Sequence, residues 1–238
     1  MIDIHSHLIY GVDDGTKTKE ESIEILKKLR DNNITDVILT PHYIADTKYT
    51  SSKIDNIKIY RELKKELELN NIDINIYLGN EIYIDRNILN YVEKNEMCTL
   101  NNSEYILIEL PMSGIYPDYV DIISNMISEG CKVILAHPER YTSFQKDFNK
   151  ILELNEIGVL FQCNYGSILG EYGHEAKKCM KAILKNKLVS FMGTDIHKNK
   201  NDYNYIEKSI KKIGKYYSTE EIDAITTNNA KKIIEIKK

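Results

Sequence analysis

The chain carries no excess of positive charge: 32 Lys and Arg stand against 36 Asp and Glu in 238 residues, a formal −4. That balance argues against broad nucleic-acid binding, which needs a basic face. No apolar run approaches the ~18 residues of a membrane span, and the opening MIDIHSH lacks the basic start of a signal peptide. The chain is therefore expected in the cytoplasm, without direct membrane insertion. Cys98, Cys131, Cys163 and Cys179 show neither CxxC pairing nor metal-ligand spacing, which reads as four reduced, mostly buried thiols. There is no Pro/Gly/Ser-rich linker, no break in composition and no low-complexity tract, so one domain over 1–238 is the economical reading. GxGxxG and P-loop motifs are missing too, which removes the main support for a nucleotide-binding open sheet.

What is present is a rhythm. Seven short apolar, β-branched runs recur roughly every ~30 residues: IDIH (2–5), DVILT (36–40), INIYLG (74–79), YILIEL (105–110), KVILAH (132–137), VLFQCN (159–164) and LVSFMG (188–193). Amphipathic helical stretches separate most of them. Thr18 and Glu21 form a capping box ahead of a face made by Ile23, Leu26 and Leu29. Ile59, Leu63 and Leu67 repeat the pattern, and Ser218 with Glu221 opens a C-terminal helical region. Continuous apolar strands alternating with helices predict an α/β fold with a parallel sheet. Seven βα units allow either an open sheet or a closed barrel.

The strand ends carry polar residues. The first run ends at His5 and His7, the second is followed by His42 and the third by Glu81. Glu109, His137 and Asp195 with His197 follow at the fourth, fifth and seventh. Five of the six histidines thus lie at or just past the C-terminal end of a strand, the edge where parallel α/β proteins place functional groups. Side chains alternate along a strand, so His5 and His7 project to one side, and Asp195 and His197 do likewise if the chain stays extended. Any one of these residues has a structural explanation. Their coincidence at so many strand ends points to a polynuclear metal site, and mixed imidazole and carboxylate suits Zn, Mn, Fe or Ni. His174 is read as a surface or helix-start residue. Asp3 is a candidate for orienting a ligand imidazole, and Asp13-Asp14 before Gly15 can also be a simple turn.

The stretches DIHSHLIYGVDDG, TPHY, GNEIYID, ELP, AHPER, QCNYGSILG and GTDIH, in order from residue 2 to about 197, resemble the motifs of the PHP (polymerase and histidinol phosphatase) superfamily. Within it they are most similar to the bacterial manganese-dependent tyrosine-protein phosphatases of capsular and exopolysaccharide clusters. The resemblance implies a distorted seven-stranded (β/α)7 TIM-like barrel with three divalent ions at its C-terminal mouth, Mn²⁺ foremost, with Fe or Zn as alternatives. It assigns His5, His7, Glu81 and Asp195 to the first ion. Glu81 bridges to a second, held also by Glu109 and His137, and Asp14, His42 and His197 hold the third. Arg140 becomes the phosphate-contacting arginine, and Arg140, His42 and Asp14 the expected catalytic residues. Two departures stand out. Only Lys198 and Lys200 follow the final DxH where relatives often carry arginine, and Tyr43 replaces a second histidine after Pro41-His42.

The four carboxylates supply about −4 and three divalent ions about +6, so the loaded site keeps roughly +2 with neutral imidazoles, matching a phosphate dianion. The reaction expected there is attack by a metal-activated hydroxide on phosphotyrosine, with Arg140 neutralising the phosphoryl oxygens. A thiolate mechanism is excluded, because no cysteine has an arginine six residues on. The resemblance also implies the partner, an autophosphorylating bacterial tyrosine kinase. The competing functions are a small-molecule phosphomonoesterase such as histidinol phosphatase and a non-catalytic metal-binding module. The stretch after His42, residues 43–53, is long enough to reach a substrate.

Overall fold

A computed structural model describes residues 1–235; the last three positions of the expected 1–238 unit lie outside the described residues. Among the described residues nine strands are formed: β1 (Ile2–Asp3), β2 (Asp36–Leu39), β3 (His42–Tyr43), β4 (Asn75–Leu78), β5 (Glu81–Tyr83), β6 (Tyr105–Glu109), β7 (Lys132–Ala136), β8 (Leu160–Asn164) and β9 (Phe191–Gly193). All pair in parallel, in two sheets with orders β1-β2-β4 and β3-β5-β6-β7-β8-β9. The α/β alternation read from the sequence is therefore observed.

Seven runs become nine strands because two of them break. DVILT ends as a strand at Leu39, and Pro41, which has no N–H to give a ladder, precedes its continuation as β3. INIYLG pauses at Gly79-Asn80 before β5. A Cβ on Gly79 would stand 2.6 Å from Leu100 Cδ2, so any larger residue at that bend displaces the buried Leu100 side chain. The rungs continue across both breaks: Gly79 N donates to Leu39 O (2.9 Å) and Glu81 N to Pro41 O (3.1 Å). One pair of chain segments thus belongs to the first sheet below the break and to the second above it.

Regular pairing among the described residues does not make the single closed seven-stranded ring. At the opposite edges the sheets meet through a short parallel bridge, Ser6 to Ile196. There Asp195 N donates to His5 O and His7 N to Ile196 O, both at 2.9 Å.

The strand centres are mostly apolar because both faces are buried, with polar residues gathered toward the strand ends. Ile106, Ile108, Val133 and Leu135 pack into the larger core, under the helices Lys19–Asp31, Tyr119–Ser128 and His174–Lys185. Their alternating neighbours Leu107, Ile134 and Ala136 meet Ile2, Ile4, Ile38 and Phe191 in a second cluster, closed by Ala230 and Ile233. Thr18 caps its helix as expected, accepting from Glu21 N (3.2 Å), but the Glu21 carboxylate returns to Lys17 N (2.9 Å) instead of completing the box. The Ser218–Glu221 box is complete. His174 begins a helix with its side chain exposed.

Candidate metal centre

At the C-terminal strand ends, period-two geometry turns His5 and His7 the same way, and their Nε2 atoms stand 3.2 Å apart. Glu81 Oε2 lies 3.3 Å from both and Asp195 Oδ1 3.4 Å from both. A tetrahedral ion with imidazole and carboxylate ligands at ~2.0–2.1 Å needs ligand–ligand edges of about 3.3–3.4 Å. The edges among the two imidazoles, and from each imidazole to either carboxylate, lie at 3.2–3.4 Å, close to that spacing.

Glu81, fully buried at the start of β5, extends the cluster on both sides. Its Oε1 meets His137 Nε2 at 3.1 Å, and Glu109 Oε1 lies 3.6 Å from the same nitrogen. Its Oε2 stands 3.0 Å from His42 Nδ1. On the outer side, Asp14 Oδ1 is 3.5 Å from His42 Nε2 and 3.4 Å from His197 Nε2, and the His7 and His197 rings stack at 3.8 Å. All nine ligand-type residues singled out in the sequence thus come together. Four overlapping groups have their ligand atoms within 4.8 Å of one another: His7-Asp14-His42-His197, His5-His7-Glu81, His5-His137-Asp195 and His42-Glu81-Glu109.

The donor set is suited to cations. Glu81 Oε2 and His42 Nδ1 approach to 3.0 Å without the alignment of a hydrogen bond and, buried, have no other such partner, a costly state that an ion bound between them relieves. Titration tells the same story. Burial would lower His5, yet Glu81 and Asp195 outweigh it and raise the imidazole to about 9. His7 rises well above the usual range against the same burial, through Asp13, Asp195 and Glu81. Burial, reinforced by Glu81, pushes Glu109 up to about 8. Protons collect where positive charge is wanted. His137 moves the other way, to about 4, through burial and the Arg140 charge.

The backbone is strained at two of these residues. His137 (φ 33°) and Asp195 (φ 51°) sit in the left-handed region without being glycine, a cost of ~1–3 kcal/mol each that is typical of functional sites.

Arg140 reaches the mouth, half-buried, with Nη1 2.5 Å from Asp195 Oδ2 and its guanidinium 4.6 Å from the centre of the Tyr172 ring. Lys200 is engaged elsewhere, on Glu171 (2.8 Å) and over the Tyr205 ring, while Lys198 is exposed. Tyr43 is turned away from the imidazoles, its hydroxyl on Glu96 Oε2 (3.2 Å). Residues 43–53 fold back through a Tyr43–Thr50 bridge, which sets the Tyr49 ring 6.1 Å from that of His42.

Two readings need correction. Asp3 does not touch an imidazole: its carboxylate accepts from His5 N, Thr194 N and Thr194 Oγ1, fixing backbone between β1 and β9. Asp13 is more than a turn residue. Its Oδ2 accepts from His7 Nδ1 (2.8 Å) and His42 N (3.0 Å), and Oδ1 from Gly15 N (2.9 Å). The hydrogen bond leaves His7 Nε2 free to ligate. Despite burial, those partners hold the Asp13 carboxyl well below the usual carboxylate range. Gln162, which accepts from His5 Nδ1 at 2.7 Å, was also missed; period-two alternation within VLFQCN was its available signal.

The thiols are free; Cys98, Cys163 and Cys179 are buried and Cys131 half-buried. Burial pushes Cys98 to about 11 and Cys179 to about 12, which keeps both protonated and poorly nucleophilic.

Known proteins share this arrangement of chain. The putative tyrosine-protein phosphatase CapC of Staphylococcus aureus is 35% identical over 199 residues, covering 83% of this chain and 77% of its own. Tyrosine-protein phosphatase CpsB of Streptococcus pneumoniae is 31% identical, with 98% of each chain covered. A solved structure from work on YwqE of Bacillus subtilis and CpsB of Streptococcus pneumoniae, described as unique metal-dependent tyrosine phosphatases, superposes with a TM-score of 0.92. It is 26% identical and covers 99% of this chain and 94% of that one. The family profile for capsular polysaccharide synthesis, CpsB/CapC, matches residues 1–235, and the chain belongs to that family.

Proposed function

We propose that this protein is a metal-dependent phosphotyrosine-protein phosphatase. The observation that carries the reading is the convergence of five imidazoles and four carboxylates around Glu81, with buried ligand atoms left unpaired. Three divalent ions fit the set: one on His5, His7, Glu81 and Asp195, one on Glu81, Glu109 and His137, and one on Asp14, His42 and His197. Mn²⁺ is the ion we propose, with Fe or Zn as alternatives of the same ligand chemistry. Bound ions supply Lewis acidity and an acidified water at neutral pH.

The chain's own groups do the rest. Arg140, at the rim and already on Asp195, is placed to bind phosphoryl oxygens and balance their growing charge. Tyr172 beneath the guanidinium fixes its plane. Asp13 and Gln162 hold the Nδ1 sides of His7 and His5, aiming each Nε2 at the cluster. The phenol of tyrosine has a pKa near ~10, so its oxygen leaves with little need of a proton donor.

The two sheets, joined at one side by continuous segments and at the other by Ser6–Ile196, are read as one distorted barrel and one domain. No helix among the described residues is long and apolar enough to cross a membrane, and we place the protein in the cytoplasm. Its proposed substrate is an autophosphorylating bacterial tyrosine kinase of polysaccharide export, a partner inferred from the phosphatase names and capsule family of its relatives.

The test is phosphate release by chelator-stripped protein, with and without Mn²⁺, from a phosphotyrosine peptide and from histidinol phosphate. Mn²⁺-dependent turnover of the peptide, insensitive to thiol alkylation, is expected. Preference for histidinol phosphate would move the protein to small-molecule chemistry, and failure on both would refute the enzyme.

A further inference from the structure

The geometry points to a polarised amide relay, Gln162–Asn164, that sets the proton position of His5 from the far end of the site; this rests on the metal-centre reading above. All three side chains are fully buried. The chain of hydrogen bonds runs His5 Nδ1 to Gln162 Oε1 (2.7 Å), Gln162 Nε2 to Asn164 Oδ1 (2.9 Å) and Asn164 Nδ2 to Asp195 Oδ2 (2.8 Å).

Its direction is dictated at one end. Asp195 Oδ2 also receives Arg140 Nη1, and an ionised carboxylate accepts only. Asn164 must therefore turn its NH₂ toward Asp195 and its oxygen toward Gln162. Gln162 must then donate to Asn164, which leaves its own oxygen for His5. His5 must carry a proton on Nδ1, which leaves Nε2, facing His7, Glu81 and Asp195, as the nitrogen available to an ion. The two histidines of the first strand are thus oriented by different means: His7 directly by a carboxylate, His5 by a neutral pair that borrows its polarity from Asp195.

Two further observations fit a built device. Asn164 is anchored through its backbone N–H on the buried Glu139 Oε1 (2.9 Å), which also accepts from Ser167 Oγ (2.6 Å). A Cβ on Gly193 would stand 2.7 Å from Gln162 Nε2 and 3.1 Å from His5 Cβ, so the adjacent strand leaves no slack around the pair. Gln162 and Asn164 are positioning residues.

The test uses the full chain in two states. In metal-free protein with ¹⁵N-labelled histidine, the hydrogen-bonded Nδ1 proton of His5 gives a slowly exchanging resonance. Asn164→Leu, which touches nothing on His5, is expected to abolish or shift it, and Gly193→Ala to do the same by displacing Gln162. Asn164→Asp, which still accepts from Gln162, is expected to retain it. In Mn²⁺ titrations, Gln162→Met and Asn164→Leu should each weaken binding by about 10–100-fold, the usual effect of losing such support. The double variant should lose little more than either single one, since both break one chain. An unchanged His5 resonance in Asn164→Leu and Gly193→Ala, or single losses that multiply in the double variant, would overturn the relay. If the wild-type protein binds no Mn²⁺, the metal-centre reading fails, while the resonance still decides the relay.

Discussion

Asp13→Asn separates a turn from a metal-site support. Asparagine serves a tight turn as well as aspartate, so a turn residue would tolerate the change. In the structure, three donors converge on two carboxylate oxygens: His7 Nδ1 and His42 N on one, Gly15 N on the other. Asparagine offers one oxygen. If it faces His7 and His42, the amide NH₂ confronts the Gly15 N–H, and a buried donor is orphaned at ~1–3 kcal/mol of stability. His7 keeps a partner but loses the charge assistance that roughly doubles such a bond. Mn²⁺ affinity is then expected to fall by about 10-fold, the lower end of the range for such partners and worth ~1.4 kcal/mol. A chelator-competition titration reads the affinity, and urea unfolding of metal-free protein reads the stability. Wild-type values for both would refute the role assigned to Asp13.

Other consequences follow from the same geometry. Glu109, His5 and His7 all titrate above their ordinary values in the metal-free fold, so each binds protons more tightly when folded. Their contribution to stability is full below the unfolded values and is lost as pH rises toward 8–9; the thermal midpoint of metal-free protein should fall from pH 6 to pH 9, with Glu109→Gln shallower and Mn²⁺ stabilisation growing over that range. Arg140→Lys keeps the charge but not the planar fork, and kcat/KM for a phosphotyrosine peptide should drop by about 10–100-fold, the loss of one charged hydrogen bond of ~1.5–3 kcal/mol. Tyr141, fully buried, donates to Ala136 O and accepts from Leu110 N, each at 3.0 Å; Tyr141→Phe should cost ~1–3 kcal/mol in urea unfolding by stranding the Leu110 N–H.

The strand ends were legible because period-two alternation is a local rule. His5 and His7, or Asp195 and His197, reveal a shared face from spacing alone, and the apolar runs locate the strands that carry them. The splits at Pro41 and Gly79 were harder to see: each looks like the end of a strand, and only the rungs from Gly79 to Leu39 and Glu81 to Pro41 show the pairing resuming in another sheet. Hydrogen-bond partners were least legible. Asp13 reaches His42 across 29 positions and Gln162 reaches His5 across 157, so local sequence cannot separate a turn aspartate or an apparently structural glutamine from a ligand's support. Asp3 illustrates the reverse error. It shares the face of His5 and His7 by alternation, yet β9 brings Thr194 close enough to claim its carboxylate.

The central claim is that three divalent ions sit among these nine side chains. Anomalous diffraction from Mn²⁺-loaded crystals tests it directly. The account predicts three peaks, one bounded by His5, His7, Glu81 and Asp195, one by Glu81, Glu109 and His137, and one by Asp14, His42 and His197. A single peak, or peaks away from these nine side chains, would contradict it.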